Sequence, residues 1–238
     1  MQRIGVLGGM GPSATVDFMD KIIQLTPASC DQEHLPVVVA NLPQVPDRSR
    51  AILGMGADPL PALLEGIDIL NTANVGVIAI PCNSSHHWYA QMAQRSHCHV
   101  IHIAQACVAA IPVVENAKVA IFATQGAIAS GFYQSALQAR GIDFFIPDAS
   151  SGQPWIDTCI RSIKAGEMVA GGQALHQALA AVQAHGVSAV IMGCTEIPIA
   201  ARHMEPTDVA LIDSTLELAK ATVAYAMSKG WNKAPCAS

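Results

Sequence analysis

Cys82 in "AIPCNSSH" and Cys194 in "VIMGCTEIP" each stand where a run of strand-forming residues gives way to polar ones. A thiol just past the end of a buried strand is placed for chemistry, because open parallel sheets bind ligands beyond the carboxyl ends of their strands. Two such thiols on either side of one cleft suit the inversion of a carbon centre. One thiolate removes a proton from one face while a thiol on the opposite face supplies a new one. A free thiol has a pKa of about 8.5, so the base form needs support from donors, a cation or a helix N-terminus. Asn83, Ser84 and Ser85 follow the first cysteine and Thr195 the second. Each group is expected to open a helix whose N–H groups and dipole favour an anion, either the thiolate or a substrate carboxylate. Thiols sharing a cleft titrate as a pair, one charged and one neutral.

Eight apolar runs supply the strands such a site requires: "RIGVLGG", "PVVVANLP", "VGVIAIPC", "HVIHIAQ", "KVAIFAT", "IDFFIPD", "SAVIMGC" and "VALIDST". Unbroken apolar strands separated by helical segments predict an α/β fold with open parallel sheets covered on both faces. In "SATVDFMDKIIQL", Ala14, Phe18, Ile22 and Leu25 share a helical face with Ser13 as expected N-cap, and "GGQALHQALAAVQAHG" ends at Gly186. The chain also resembles itself. "IGVLGGMGPSAT" pairs with "VAIFATQGAIAS", "VGVIAIPCNSS" with "VSAVIMGCTEI", and "VIHIAQACVAAI" with "VALIDSTLELAK", in the same order and at near-constant spacing. Two copies of one α/β unit related by a pseudo-twofold axis are expected, with the site in the cleft between them.

Composition narrows the function. The chain has 238 residues with 51% hydrophobic and 13% charged, so some apolar surface is expected to meet another subunit. A net charge of −5 without any Lys/Arg run argues against nucleic acid as a partner. "MQRIGVLGG" enters a strand directly and no long apolar run follows, which predicts a soluble cytoplasmic protein without membrane association. Seven cysteines without CxxC spacing (Cys30, Cys82, Cys98, Cys107, Cys159, Cys194, Cys236) read as reduced thiols, not a disulfide framework or zinc knuckle. "GMGPSA" fits G-x-G-x-x-G/A, but Asn41 stands where a dinucleotide site needs an acid, so no nucleotide cofactor is expected. His86, His87, His97, His99 and His102 lack metal-ligand spacing, so no metal is expected. His86 is close enough in sequence to Cys82 to tune its thiolate, and Glu196 to polarise Cys194 or Thr195 or to favour a helix N-terminus.

"IGVLGGMGP", "DQEH", "NLPQVPDR", "PCNSSH", "KAG" and "GCTEIP", in this order and spacing, resemble the aspartate/glutamate racemase family, most closely its aspartate racemase branch. The resemblance covers nearly the whole chain. It implies a cofactor-independent amino-acid racemase, usually a homodimer, acting on a small amino-acid substrate such as aspartate or glutamate. It implies two similar α/β domains, residues 1–98 completed by the last strand and helix in 208–238, and residues 99–207. By the same resemblance Cys82 and Cys194 are the acid/base thiols, Arg48 and Lys164 bind substrate carboxylates, and Met10 and Gly11 form the floor loop. Asn83, Ser84, Ser85, Thr124, Thr195 and Glu196 then line the cleft. Ser84-Ser85 departs from the Thr-Ala or Thr-Met that often follows the Asn in the family. The residues alone leave open a maleate isomerase-like enzyme, in which a thiolate adds to a double bond, and a non-catalytic two-lobed ligand-binding protein.

Overall fold

The computed structural model describes residues 2–112 and 118–232; Cys236 lies outside them. The first half runs β1 (Ile4–Gly8), α1 (Pro12–Leu25), β2 (Val37–Asn41), α2 (Arg48–Ile52), α3 (Leu60–Thr72), β3 (Val77–Ala79), α4 (Tyr89–Arg95) and β4 (His99–Val100). Helix α5 (Ile103–Ala109) leads into the second half. There follow β5 (Lys118–Phe122), α6 (Gln125–Ser130), α7 (Phe132–Gln138), β6 (Asp143–Phe145), α8 (Gln153–Lys164) and α9 (Met168–Gln183). The chain then continues through β7 (Val187–Met192), α10 (Ile197–Ala201), β8 (Ala210–Asp213) and α11 (Ser214–Ser228).

The strands form two wholly parallel four-stranded sheets, β2-β1-β3-β4 and β6-β5-β7-β8. The two orders are the same, as a duplicated unit requires. Because side chains alternate along a strand, each sheet buries both faces. Ile4 and Val6 of β1 face α1 and α11, while Leu7 faces the side covered by α3 and α4. In the second sheet Ala120, Phe122, Val190 and Met192 meet α8, α9 and α10, and Val119, Ile121 and Ile191 meet α5 and α7. Helix α5 contributes Ile103 to one lobe's core and Ala104, Cys107 and Val108 to the other's, so it lies between them.

Two local expectations are corrected. Helix α1 starts with Pro12 in its first turn and Gly11 at its N-cap without a side-chain cap, so Ser13 lies inside the helix. Proline's fixed φ suits the first helical position and begins the helix two residues early. Strand pairing also moves both domain boundaries. The 99–100 strand hydrogen-bonds to β3 in the first sheet and the 210–213 strand to β7 in the second, and only α11 returns to pack on α1 and β3. Each strand joins the sheet of the strand before it through a short helical crossover, the usual outcome for consecutive βαβ units.

A buried charge cluster ties the lobes together. Lys21 of α1, 6% exposed, donates to Asp17 at 2.7 Å and to Asp213 at the end of β8 at 2.6 Å; Asp17 also pairs with Arg202 beyond α10. Asp213 additionally caps α11 by accepting from the Thr215 and Leu216 N–H groups. Removing one member of a buried ion cluster leaves uncompensated charge, which costs far more than losing an exposed pair. Lys21→Met is expected to destabilise the chain by about 3 kcal/mol in urea unfolding, while Lys220→Met, which breaks an exposed pair with Glu217 on α11, costs less than about 1 kcal/mol.

Candidate active site

The floor of the cleft is set by the turn after β1. Gly9 adopts φ +93°, and a Cβ there would fall 2.4 Å from the Leu42 backbone, so only glycine lets the turn lie against the end of β2. That approach brings the Met10 carbonyl to Arg48, the first residue of α2. Arg48 Nη1 donates to the Val45 and Pro46 carbonyls at 3.0 Å each, and Nη2 donates to Met10 at 3.1 Å. Three backbone acceptors therefore hold the guanidinium still. What remains is one edge, the Nε–H and the second Nη2 hydrogen, and Nε is buried without a partner. Two parallel N–H groups on a fixed arginine edge match the two oxygens of a carboxylate.

Cys82 follows β3 on a turn whose carbonyl is doubly fastened. Ser85 Oγ donates to the Cys82 carbonyl at 2.8 Å, and His86 Nδ1 lies 2.9 Å from it. His86 Nε2 accepts from the Ile103 N–H at 3.1 Å, which places the ring proton on Nδ1 as a donor to Cys82. Burial pushes the His86 pKa down to about 3, so the ring is neutral and acts as a strut between the Cys82 turn and α5. Its thiol partner is Ser84, with Sγ and Oγ 3.8 Å apart. Neighbouring Asn83 is spoken for: Tyr133 OH donates to Oδ1 at 2.6 Å, and Nδ2 donates to Ser214 Oγ at 3.2 Å.

Cys194 follows β7 in a different setting. Its Sγ–H donates to Glu196 Oε2 at 2.9 Å, and the Thr195 hydroxyl reaches the same oxygen at 3.3 Å. Burial, and then the Glu196 carboxylate, push the Cys194 pKa well above the ordinary thiol value, so the group is a protonated thiol. The sequence suggested stabilisation by helix N-termini. The segments that follow the cysteines are instead a 3₁₀ turn at Ser84–Trp88 and the five-residue α10, both too short for much dipole. Charge near Cys194 is supplied by side chains. Lys164, the last residue of α8, is pulled down by burial but held above the ordinary lysine value by Glu196, Cys194, Cys82 and Asp47 together.

One cleft is lined by both cysteines and by Met10, Arg48, Asn83, Ser84, Thr124, Lys164, Thr195 and Glu196. Of the residues expected there, only Gly11 and Ser85 are not on its wall. Gly11 caps α1, and Ser85, fully buried, spends its hydroxyl on Cys82. Asp47, Ser49 and Gly193 also line the cleft and were not anticipated, although each adjoins an anticipated residue. Ser49 Oγ donates to Thr124 Oγ1 at 2.8 Å across the lobes, and a Cβ on Gly126 would fall 2.6 Å from the Ser49 Cα. The enclosed volume is about 20 Å³, room for one water. An amino acid is larger than this, so the cleft must widen to admit one.

Two further histidines, His102 and His99, have structural duties. His102, pushed down to about 4 by burial, accepts from the Ala104 N–H as cap of α5, and His99 stacks on Tyr225. Among the described residues, no three His, Cys, Asp or Glu side chains converge to hold a metal ion, and no helix is long and apolar enough to cross a membrane.

Comparison with known proteins bears on the fold and the family. The chain is 29% identical over 225 residues to the broad specificity amino-acid racemase RacX of Bacillus subtilis, a match covering 92% of this chain and 96% of RacX. Its structure superposes on Picrophilus torridus aspartate racemase with a TM-score of 0.81 at 26% identity, covering 95% of each chain. Glutamate racemase RacE1 of Bacillus anthracis shares the fold, with a TM-score of 0.73 at 20% identity, covering 97% of this chain and 83% of that one. The family model described as Asp/Glu/Hydantoin racemase matches residues 7–222, so this chain belongs to the Asp/Glu/hydantoin racemase family.

Proposed function

We propose that the protein is an amino-acid racemase acting on aspartate or glutamate through a two-base mechanism carried by Cys82 and Cys194. The observation that supports this most is that both strand-end thiols line one cleft together with the unpaired edge of Arg48. Arg48 and Lys164 are two cations for the two carboxylates of an acidic amino acid, Arg48 as a fixed fork and Lys164 as a flexible point charge. A thiolate on one face takes the α-proton and becomes a thiol. The resulting carbanion takes a proton from the opposite thiol, which becomes the thiolate, so the product leaves the enzyme in the complementary protonation state.

Glu196 and Lys164 give the Cys194 side its character. A thiolate formed beside the Glu196 carboxylate is a strong base, while Lys164 offsets part of the added negative charge. The enzyme works in the cytoplasm as a homodimer, in keeping with the low charge content of its surface-to-core balance, and its lobes separate to admit substrate.

In D2O, L-aspartate or L-glutamate is expected to gain deuterium at Cα as the D-enantiomer forms, read by NMR and chiral chromatography. No α-exchange with any amino acid in a panel, or turnover of maleate without α-exchange, would contradict the reading. Cys82→Ser and Cys194→Ser should each abolish inversion, and full racemisation by either variant contradicts the assignment of two bases. Arg48→Lys keeps the charge but loses the fork; kcat/KM is expected to fall about 100-fold.

A further inference from the structure

A fully buried chain of hydrogen bonds joins the backbones that carry the two thiols. It begins at the Met192 carbonyl, two residues before Cys194, which accepts from Ser214 Oγ at 2.7 Å. Ser214 Oγ accepts in turn from Asn83 Nδ2 at 3.2 Å, and Asn83 directly follows Cys82. The chain ends at Tyr133, whose hydroxyl donates to Asn83 Oδ1 at 2.6 Å. Ser214 is 0% exposed, Tyr133 1% and Asn83 4%, so no water replaces these partners. Four segments meet here: the ends of β3 and β7, helix α7, and the first residue of α11.

We propose that Tyr133 and Ser214 are positioning residues that fix the separation of the Cys82 and Cys194 thiols through the Asn83 carboxamide. This rests on the racemase reading and deepens it. Neither residue touches the cleft; each acts through Asn83. The polarity of the chain leaves one arrangement. Tyr133 must donate, because Asn83 Oδ1 only accepts, and Ser214 must spend its one hydrogen on Met192, which leaves its lone pairs for Asn83 Nδ2. Burial, and then the neighbouring Cys107, hold the Tyr133 phenol well above its ordinary pKa, so the donor does not titrate away. Two-base inversion makes a demand that binding does not: the second sulfur must stand against the face opposite the first at the moment the carbanion exists. Displacements of about 1 Å in such arrangements cost up to about 100-fold in rate. This chain of bonds ties the bases of both thiol-bearing turns to each other and so fixes their separation.

The test is the partition between exchange and inversion. After a thiolate has taken the α-proton, a misplaced second thiol delays delivery, and the first sulfur, having swapped its proton for solvent deuterium, returns it to the same face. Substrate recovered from D2O with Tyr133→Phe should then carry deuterium without inversion, the ratio of exchange to inversion rising about tenfold over the unaltered enzyme while KM changes little. Merely lowering stability reduces the amount of active enzyme and leaves that ratio unchanged. Ser214→Ala, which breaks the same chain at its other link, should raise the ratio likewise and serves if Tyr133→Phe does not fold, as judged by circular dichroism. An unchanged ratio in a folded variant overturns the positioning role while leaving racemisation intact. Absence of both exchange and inversion in the unaltered enzyme overturns the racemase reading and this inference with it.

Discussion

The carboxyl ends of two parallel sheets open onto one enclosed space, and everything else in the molecule follows from keeping them there. Parallel pairing forces a helical crossover after every strand, so the turns that leave β3 and β7 fall at the same end of their sheets. The identical strand orders place those two turns equivalently in the two halves. Holding the halves face to face is a separate task, and it is met with polar groups. The Lys21 cluster clamps α1 to the end of β8, and the Asn83 carboxamide joins the Cys82 turn to Tyr133 and Ser214. Ser49 of α2 also meets Thr124, the N-cap of α6, across the two halves. Buried polar bonds are directional, so they define a distance where apolar packing alone would tolerate sliding.

The halves are alike in topology and unlike in chemistry. On one side the Cys82 carbonyl is fastened by Ser85 and a neutral His86, with a serine hydroxyl beside the sulfur. On the other the Cys194 thiol donates to the Glu196 carboxylate, and burial together with that carboxylate keeps it protonated. The two sulfurs therefore sit in unlike surroundings, one beside a hydroxyl and the other beside a carboxylate.

Much of this was legible in the sequence because it is local. Apolar runs marked the eight strands found among the described residues, and polar residues directly after Cys82 and Cys194 marked the ends of β3 and β7. The repeat across the chain foretold the matching sheets. Other features depend on which segments meet in space. The strand at 99–100 was placed in the wrong sheet because a two-residue run does not reveal its neighbour, although its counterpart in the repeat, 210–213, closes the equivalent edge. Arg48 carried no local signal beyond its neighbours, and its fixed edge became visible only when Met10, from a turn 38 positions away, accepted one of its hydrogens. Tyr133 and Ser214 lie in ordinary helical segments and matter through Asn83, a contact across 50 and 131 positions respectively.

The central claim is that Cys82 and Cys194 confront each other across a gap that one small molecule fills. Peptide mapping after treatment with a bifunctional reagent too short to join any but neighbouring sulfurs measures this directly, without reference to turnover. The account predicts a single intramolecular bridge between the Cys82 and Cys194 peptides, suppressed when an acidic amino acid occupies the cleft. Single attachment at each thiol with no bridge between them, under conditions where both react, would contradict it.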